Sequence, residues 1–378
     1  MVDRPGDASP YDGLLLVSFG GPERPEDVLP FLENVTRGRG VPPARLAEVA
    51  EHYAALGGRS PINDQCRALL AAVRADLDAS GVNIGVYWGN RNWDPFLESA
   101  VREMRADGVR RAAAFVTSAY SSYSGCRQYR ENLFDAVAAV PGAPVIARLR
   151  QYYNHPGFIG PFVEAACDAR QALPAEVRER AVLLFVTHSI PTAMADTSGP
   201  DGGWYVEQHR SAAALVAEGV AGRTATARVP WRLAYCSRSG PPHLPWLEPD
   251  VNDVLVELAA AKVPAVVAVP IGFVSDHVEV LHDLDTEAAE TATRRGIAWA
   301  RAATPGTHPS FVAMVRDLLL ERAAVERGQP VHRASLGHLG AGWDTCDAGC
   351  CRNLRGSRGS LGETSAVPSY GGSTGEPA

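Results

Sequence analysis

Two similar doubly wound α/β domains, each built on a parallel sheet covered by helices, are what this 378-residue sequence predicts. Three observations carry that expectation. Short apolar, β-rich runs alternate with amphipathic stretches, and strands that alternate with helices imply parallel sheets buried on both faces. The second half repeats the plan of the first: NRNWDPFLESAVREMRADGVRRAAAFVTSAYS and SRSGPPHLPWLEPDVNDVLVELAAAKVPAVVAVPIGFVSD each read as a strand end with an arginine, a Trp and Pro loop, a helix and a strand. A hydrophobic content of 46% over this length is enough for two ordinary cores.

In chain order, LLLVSFGG at 14–21, NIGVYWGN at 83–90 and RAAAFVTSAY at 111–120 are the expected strands of the first domain. Between the last two, Phe96, Leu97, Val101 and Met104 recur at helical spacing before Gly108 closes the turn. The second domain is expected to use AVLLFVTHSIP at 181–191, RLAYCSRSG at 232–240 and AVVAVPIGFVSD at 265–276. These signals divide the chain into a flexible start at 1–12, a first domain at 13–160, a second at 161–330 and a cysteine-bearing extension at 331–352. The rest, 353–378, is rich in Gly and Ser, has hardly any apolar residue to bury, and is expected to be disordered.

Composition excludes several classes of function. A net charge of −7 and a pI near 5.8, with no basic run, argue against nucleic acid as a partner. The opening MVDRPGDASPYDG lacks the basic and apolar regions of a signal peptide, and no apolar run reaches the roughly 18 residues of a membrane helix, so a cytoplasmic protein is expected. The turn Gly20-Gly21-Pro22 has neither the G-x-G-x-x-G fingerprint nor a P-loop lysine, which leaves nucleotide binding without support.

Open α/β sheets bind ligands beyond the carboxyl ends of their strands, and two such places stand out. In VAVPIGFVSDHVEVLHDLDTEAAE an apolar strand runs into an acidic helix, on which Asp276, Glu279, Asp283, Glu287 and Glu290 are expected to share one face. Like charges stacked in this way suit a cation. His188 directly follows the apolar run VLLFVT, where a neutral imidazole can bind a metal or accept a proton. A histidine and a carboxylate converging on one cleft are a candidate reactive pair. Separately, Cys346, Cys350 and Cys351 crowd into WDTCDAGCC, and three thiolates call for a fourth, whereas Cys66, Cys167 and Cys236 read as ordinary buried residues.

Taken in order and spacing, LLLVSFGGP, ENVTRGRG, HYAALGGRSPIN, FVTHSIP and VPIGFVSDHVEVLHDLD resemble the ferrochelatases, which insert ferrous iron into a porphyrin. The likeness runs from about residue 13 to about 330. It implies two Rossmann-like domains with the porphyrin cleft between them. His188 and Glu279 match the family's cleft histidine and glutamate, to which metal binding and proton abstraction are assigned in either order. Asp283 and Glu287 match an acidic ladder for protons or iron, and His277 a supporting position. Tyr53, Ser60 and Tyr129 match residues at the ring edge or its propionates, with Arg37 or Arg39 as partners for carboxylates. Phe19 stands where some relatives have tyrosine, Asn92 where some have histidine, and His52 where some have arginine.

The resemblance also supplies the fourth thiolate. Some ferrochelatases complete a [2Fe–2S] cluster with an internal cysteine in a Tyr-Ser-x-Cys segment, here Tyr123-Ser124-Gly125-Cys126. By count alone, Cys126, Cys346, Cys350 and Cys351 suit zinc equally, and the adjacent pair must diverge or share one iron. The pattern is nearest the actinobacterial enzymes, which implies coproporphyrin III as substrate, ferrous iron as co-substrate, a downstream heme-pathway enzyme as partner and a monomer. Alternatives are a protoporphyrin IX ferrochelatase, a sirohydrochlorin-type chelatase, and a non-enzymatic tetrapyrrole or iron–sulfur sensor needing neither His188 nor Glu279.

Overall fold

The computed structural model describes residues 6–38, 41–240, 243–356 and 358–362. The first sheet holds β1 (Gly13–Ser18), β2 (Gly85–Asn90), β3 (Arg111–Val116) and β4 (Val145–Arg148), all parallel, in the order β2-β1-β3-β4. The second holds β5 (Val182–His188), β6 (Trp231–Cys236), β7 (Ala265–Val269) and β8 (Ala298–Arg301), parallel, in the matching order β6-β5-β7-β8. The internal likeness extends to the loops, since the segments after β2 and β6 fold back in parallel bridges, Asn90 with Phe96 and Tyr235 with Asp250.

Burial follows from strand position. Leu14 and Leu16 of central β1 enter one apolar cluster while Leu15 and Val17 enter the one on the opposite face, as the two-residue period requires. Helix Leu97–Ala106 closes the second face with Leu97, Ala100, Val101 and Met104. In the other sheet Leu183 and Phe185 face one way, Val182, Leu184 and Val186 the other. Strands β4 and β8 have no counterpart in the sequence reading. Both are four-residue edge strands, and VIAR and AWAR are too short to show an alternation.

One core joins the halves. Phe115 of β3, Tyr152, Phe158, Phe162, Phe185 of β5 and Phe311 belong to a single cluster, with Phe115 stacked on Tyr152 at 4.9 Å. Helix Pro156–Ala172 runs through the expected boundary at 160/161 and packs on the second half. Helix Pro309–Glu326 returns from the second half to helix Ile62–Ala79 of the first, where Arg316 reaches both oxygens of Asp76 at 2.9 Å. The boundary is therefore a shared helical layer, not a linker.

The described parts of both ends are packed against the rest of the chain. Of the expected flexible start, residues 1–5 lie outside the described residues, but Ala8 and Tyr11 are buried, so 6–12 is packed. Of the expected disordered tail, 363–378 lies outside the described residues, but Ser360 is buried and Arg130 Nε donates to the Leu361 carbonyl at 2.6 Å. A few backbone contacts to a neighbouring helix suffice to order such a segment without a core of its own.

Candidate active site

His188 is the last residue of β5, and Glu279 opens the helical segment that follows β7, the strand beside it. The loop between β7 and that helix passes so close to β5 that a Cβ on Gly272 would lie 2.1 Å from Thr187 Oγ1, so only glycine fits. The segment is one α turn, Val278–Val280, then a π-helical run, Leu281–Ala288, then α again over Ala289–Arg294. π-Helical insertions concentrate at functional sites.

The acidic face is narrower than the sequence predicts. Asp276 lies before the helix, where Arg301 clamps it at 3.1 Å together with Asp285 at 2.6 Å, and Glu290 is exposed beside Arg294. The face reduces to Glu279, Asp283 and Glu287.

His188 Nδ1 hydrogen-bonds the Ser189 carbonyl, which can only accept, so Nδ1 carries a proton and Nε2 faces Glu279 Oε2 at 3.6 Å. His277 Nδ1 lies 3.9 Å from the same oxygen. Burial pushes the His188 imidazole down, but the Glu279 carboxylate, the Ser189 carbonyl and Asp283 outweigh it and hold it above the ordinary histidine value. Burial likewise raises Glu279, yet His188, His277 and His52 outweigh it and bring it to about 2. Glu279 is therefore ionised throughout the neutral range, and His188 is biased towards the cation until another cation takes its place.

Asp283 behaves in the opposite sense. Burial is the main cause, and against a hydrogen bond from Ser237 Oγ the nearby Glu279 and Glu287 carboxylates add to it, raising Asp283 to about 6. Ser237 presents its hydroxyl from a left-handed backbone, φ +61°. A carboxyl raised above its unfolded value near 4 makes folding less favourable as pH rises between about 4 and 6, because the native state alone stays protonated there. Asp283→Asn is expected to flatten this part of the stability–pH profile, measured by thermal unfolding at pH 4.5, 5.5 and 6.5; an unchanged slope contradicts the assignment.

Further along, His282 Nε2 approaches Glu287 Oε1 at 3.5 Å while its ring stacks on His52 at 3.8 Å. Ligand atoms of His282, Asp283 and Glu287 lie within 4.8 Å of one another, so the ladder has an imidazole rung that the sequence reading passed over. A histidine inside a run already read as acidic carries no signal of its own without the π-helical geometry.

The facing wall comes from the first domain. Phe19, just past β1, meets Phe31 edge-on at 6.3 Å, and Phe31 meets Tyr53 at 6.1 Å and Trp93 at 6.0 Å. Val278, next to Glu279, is buried in this group. Burial and then the Glu279 charge raise the Tyr53 phenol. Ser60 is buried, with its Oγ accepting from Ile62 N at 3.4 Å. Tyr129 is buried beneath Arg91, whose guanidinium sits 4.8 Å from the Tyr129 ring and 5.6 Å from that of Phe19. Arg91, not Tyr129, is thus the outer residue. Arg37 is exposed at the end of helix Val28–Thr36, and Arg39 lies outside the described residues.

The second constellation is as compact as the first. Cys126, Cys346, Cys350 and Cys351 form one buried cluster, with Cys350 Sγ 3.9 Å from Cys351 Sγ. The adjacent pair faces inward together because Cys351 takes a left-handed backbone, φ +53°. Cys126 lies in a π-helical turn, Tyr123–Arg127. Hydrogen bonds from the Cys346 and Cys351 thiols, with Arg148 and Arg130 assisting against burial, pull Cys126 well below the ordinary thiol value. Buried Arg148 donates to Cys346 Sγ at 3.8 Å and to the Trp343 carbonyl at 3.3 Å. Hydrogen bonds within the cluster, with burial, hold Cys346, Cys350 and Cys351 above the ordinary thiol value, so Cys126 is the thiolate of the group beside the buried guanidinium.

Two parallel α/β sheets of identical strand order, with an imidazole–carboxylate pair beyond their strand ends, define a chelatase-type protein. The fold is shared with SirB from Bacillus subtilis with Fe3+, at a TM-score of 0.51 and 12% identity over 84% of this chain and 97% of that one. The ferrochelatase family profile matches residues 11–323, and the chain belongs to that family. It is 58% identical to the coproporphyrin III ferrochelatase of Streptomyces coelicolor, over 91% of this chain and 94% of that one. It is 55% identical to the coproporphyrin III ferrochelatase of Frankia alni, over 91% and 87%, and 50% identical to the ferrochelatase of Rhodopirellula baltica, over 90% and 93%.

Proposed function

We propose that this protein inserts ferrous iron into coproporphyrin III, with His188 and Glu279 as the pair that receives iron and collects the pyrrole protons. The supporting observation is the 3.6 Å approach of His188 Nε2 to Glu279 Oε2, with Nδ1 held by Ser189. Imidazole and carboxylate together suit ferrous iron, and so sparse a donor set suits a metal that must be handed on. Iron arriving at the pair competes with the shared proton on Nε2. Asp283, near 6 and bonded to Ser237, can accept a proton released there and return to its ionised form at neutral pH. Glu287 and His282 continue that route towards solvent. The ring is expected against Phe19, Tyr53, Ser60, Tyr129 and the covering Arg91, with Arg37 available to a carboxylate.

The four-cysteine site fits a [2Fe–2S] cluster: four buried sulfurs from one π-helical turn and one extension, beside buried Arg148. A cluster held there by Cys126, Cys346, Cys350 and Cys351 supplies a redox-active, charge-bearing crosslink between the extension and the first domain. Arg148 would offset part of its negative charge. No helix among the described residues is long and apolar enough to cross a membrane. A cytoplasmic monomer that passes its product to a downstream heme-pathway enzyme accords with this reading.

Substrate choice is tested by anaerobic competition between coproporphyrin III and protoporphyrin IX for limiting ferrous iron. The expected product is Fe-coproporphyrin III in large excess; preferential metallation of protoporphyrin IX overturns the substrate assignment. Turnover of a sirohydrochlorin-type ring alone favours the other chelatase class.

A further inference from the structure

Tyr205 lies outside the cleft wall but reaches its most important residue. Its hydroxyl bonds the His188 carbonyl at 2.7 Å and lies 3.1 Å from Thr187 Oγ1. The direction of these bonds is fixed by counting protons. His209 Nδ1 meets the Tyr205 carbonyl at 2.7 Å and so carries a proton, and burial, which pulls this imidazole to about 3, keeps it neutral. His209 Nε2 is then an acceptor, Thr187 Oγ1 donates to it at 2.8 Å, and the Tyr205 hydroxyl is left to donate to His188.

The other end of Tyr205 leads to the cysteines. Its backbone N–H donates to Ser198 Oγ at 2.8 Å, and Ser198 is fully buried. The next residue, Gly199, donates its N–H to Cys351 Sγ at 3.2 Å and accepts from Cys351 N at 3.4 Å. This loop has little freedom to absorb movement. A Cβ on Gly199 would fall 2.4 Å from the Trp204 ring, one on Gly202 2.3 Å from the Asp196 carbonyl, and Trp204 packs edge-on against Trp343 of the cysteine extension at 4.8 Å.

We propose that Tyr205 is a positioning residue for His188, and that the strap Cys351–Gly199–Ser198–Tyr205 makes the placement of His188 depend on whether the four-cysteine site is filled. Filling the site draws Cys351 Sγ towards a metal centre and with it the Gly199 N–H. The tight loop transmits that shift to Tyr205, and Tyr205 to the backbone that carries the imidazole. The effect belongs on kcat, since His188 meets the reacting atoms, and not on porphyrin KM, since none of the strap lines the ring wall. The coupling half of this inference rests on the four cysteines holding a metal centre; the positioning half does not.

The experiment uses the full-length chain as wild type and Tyr205→Phe, each assayed as purified and after the cysteine site has been emptied with a chelator, with iron and sulfide content determined in every sample. Tyr205→Phe with a filled site is expected to keep the wild-type absorption spectrum and porphyrin KM while kcat falls roughly tenfold or more. Emptying the wild-type site is expected to lower kcat by roughly fivefold or more, and emptying Tyr205→Phe to add little, since the link is already cut. Wild-type kcat in Tyr205→Phe overturns the positioning role, and a fully additive loss overturns the coupling. Protein purified without iron or sulfide at the cysteines contradicts the cluster reading and leaves Tyr205→Phe to decide the positioning role alone. Should Tyr205→Phe not fold, Ser198→Ala frees the Tyr205 N–H while keeping its hydroxyl on His188: little further loss of kcat on emptying the cysteine site is expected, and a wild-type-like loss on emptying overturns the strap.

Discussion

Replacing His188 with alanine is expected to lower kcat for iron insertion by roughly 10³-fold while porphyrin KM stays within a factor of a few. The imidazole is the nitrogen donor that Glu279 faces at 3.6 Å, and its other nitrogen is already committed to Ser189. Removing it leaves an ionised carboxylate with His277 at 3.9 Å, a nitrogen that points from a different element and is held neutral by burial. Glu279→Gln provides the complementary result. Without the carboxylate the largest causes that raise His188 are gone and its pKa falls from the wild-type value, which an imidazole NMR titration of the two proteins reads directly. The sign is specific. A His188 pKa that is unchanged in Glu279→Gln contradicts the pairing, and turnover unchanged in His188→Ala contradicts the site.

The second large effect is on stability. Cys126→Ser is expected to abolish the visible chromophore of the purified protein and to lower unfolding stability by about 4 kcal/mol, the linkage expected when a centre is bound roughly a thousandfold more tightly than its free concentration. The physical reason is where Cys126 sits. It belongs to the first domain's π-helical turn, whereas Cys346, Cys350 and Cys351 belong to the extension, so a metal centre bound by all four would tie two segments that otherwise meet through hydrogen bonds such as Arg127 to the Ala348 carbonyl and Arg148 to the Trp343 carbonyl. Thermal unfolding and absorption spectra of the two proteins check this. A colourless wild type containing zinc replaces the cluster by a zinc site, and equal stability removes the crosslink.

The parts of the fold that were legible in the sequence are those with a period. Central strands such as β1 and β5 announce themselves as apolar runs, and helix Leu97–Ala106 by its spacing. Edge strands β4 and β8, four residues each, do not. The candidate site's placement was legible where a residue sits at a strand end, as with His188, and where the family motif aligns residues far apart in the chain, as with Cys126 and the extension, which the fold brings together. It was not legible where a side chain's use depends on a partner from elsewhere. Asp276 reads as one more acid on a helix, yet Arg301 takes it for a structural clamp. Tyr129 reads as a ring contact, yet Arg91 lies over it. His282 and Ser237 acquire roles only through the π-helical geometry and a left-handed backbone, neither of which leaves a mark in composition.

Under the proposed function iron enters through His188 and Glu279, 3.6 Å apart, and not through the neighbouring group of His282, Asp283 and Glu287, whose donor atoms lie within 4.8 Å of one another. Anomalous diffraction from crystals soaked with Co2+ as a stand-in for ferrous iron tests it directly. A peak between His188 Nε2 and Glu279 Oε2 that disappears in His188→Ala is the predicted result. A peak confined to His282, Asp283 and Glu287, unaffected by His188→Ala, would contradict it.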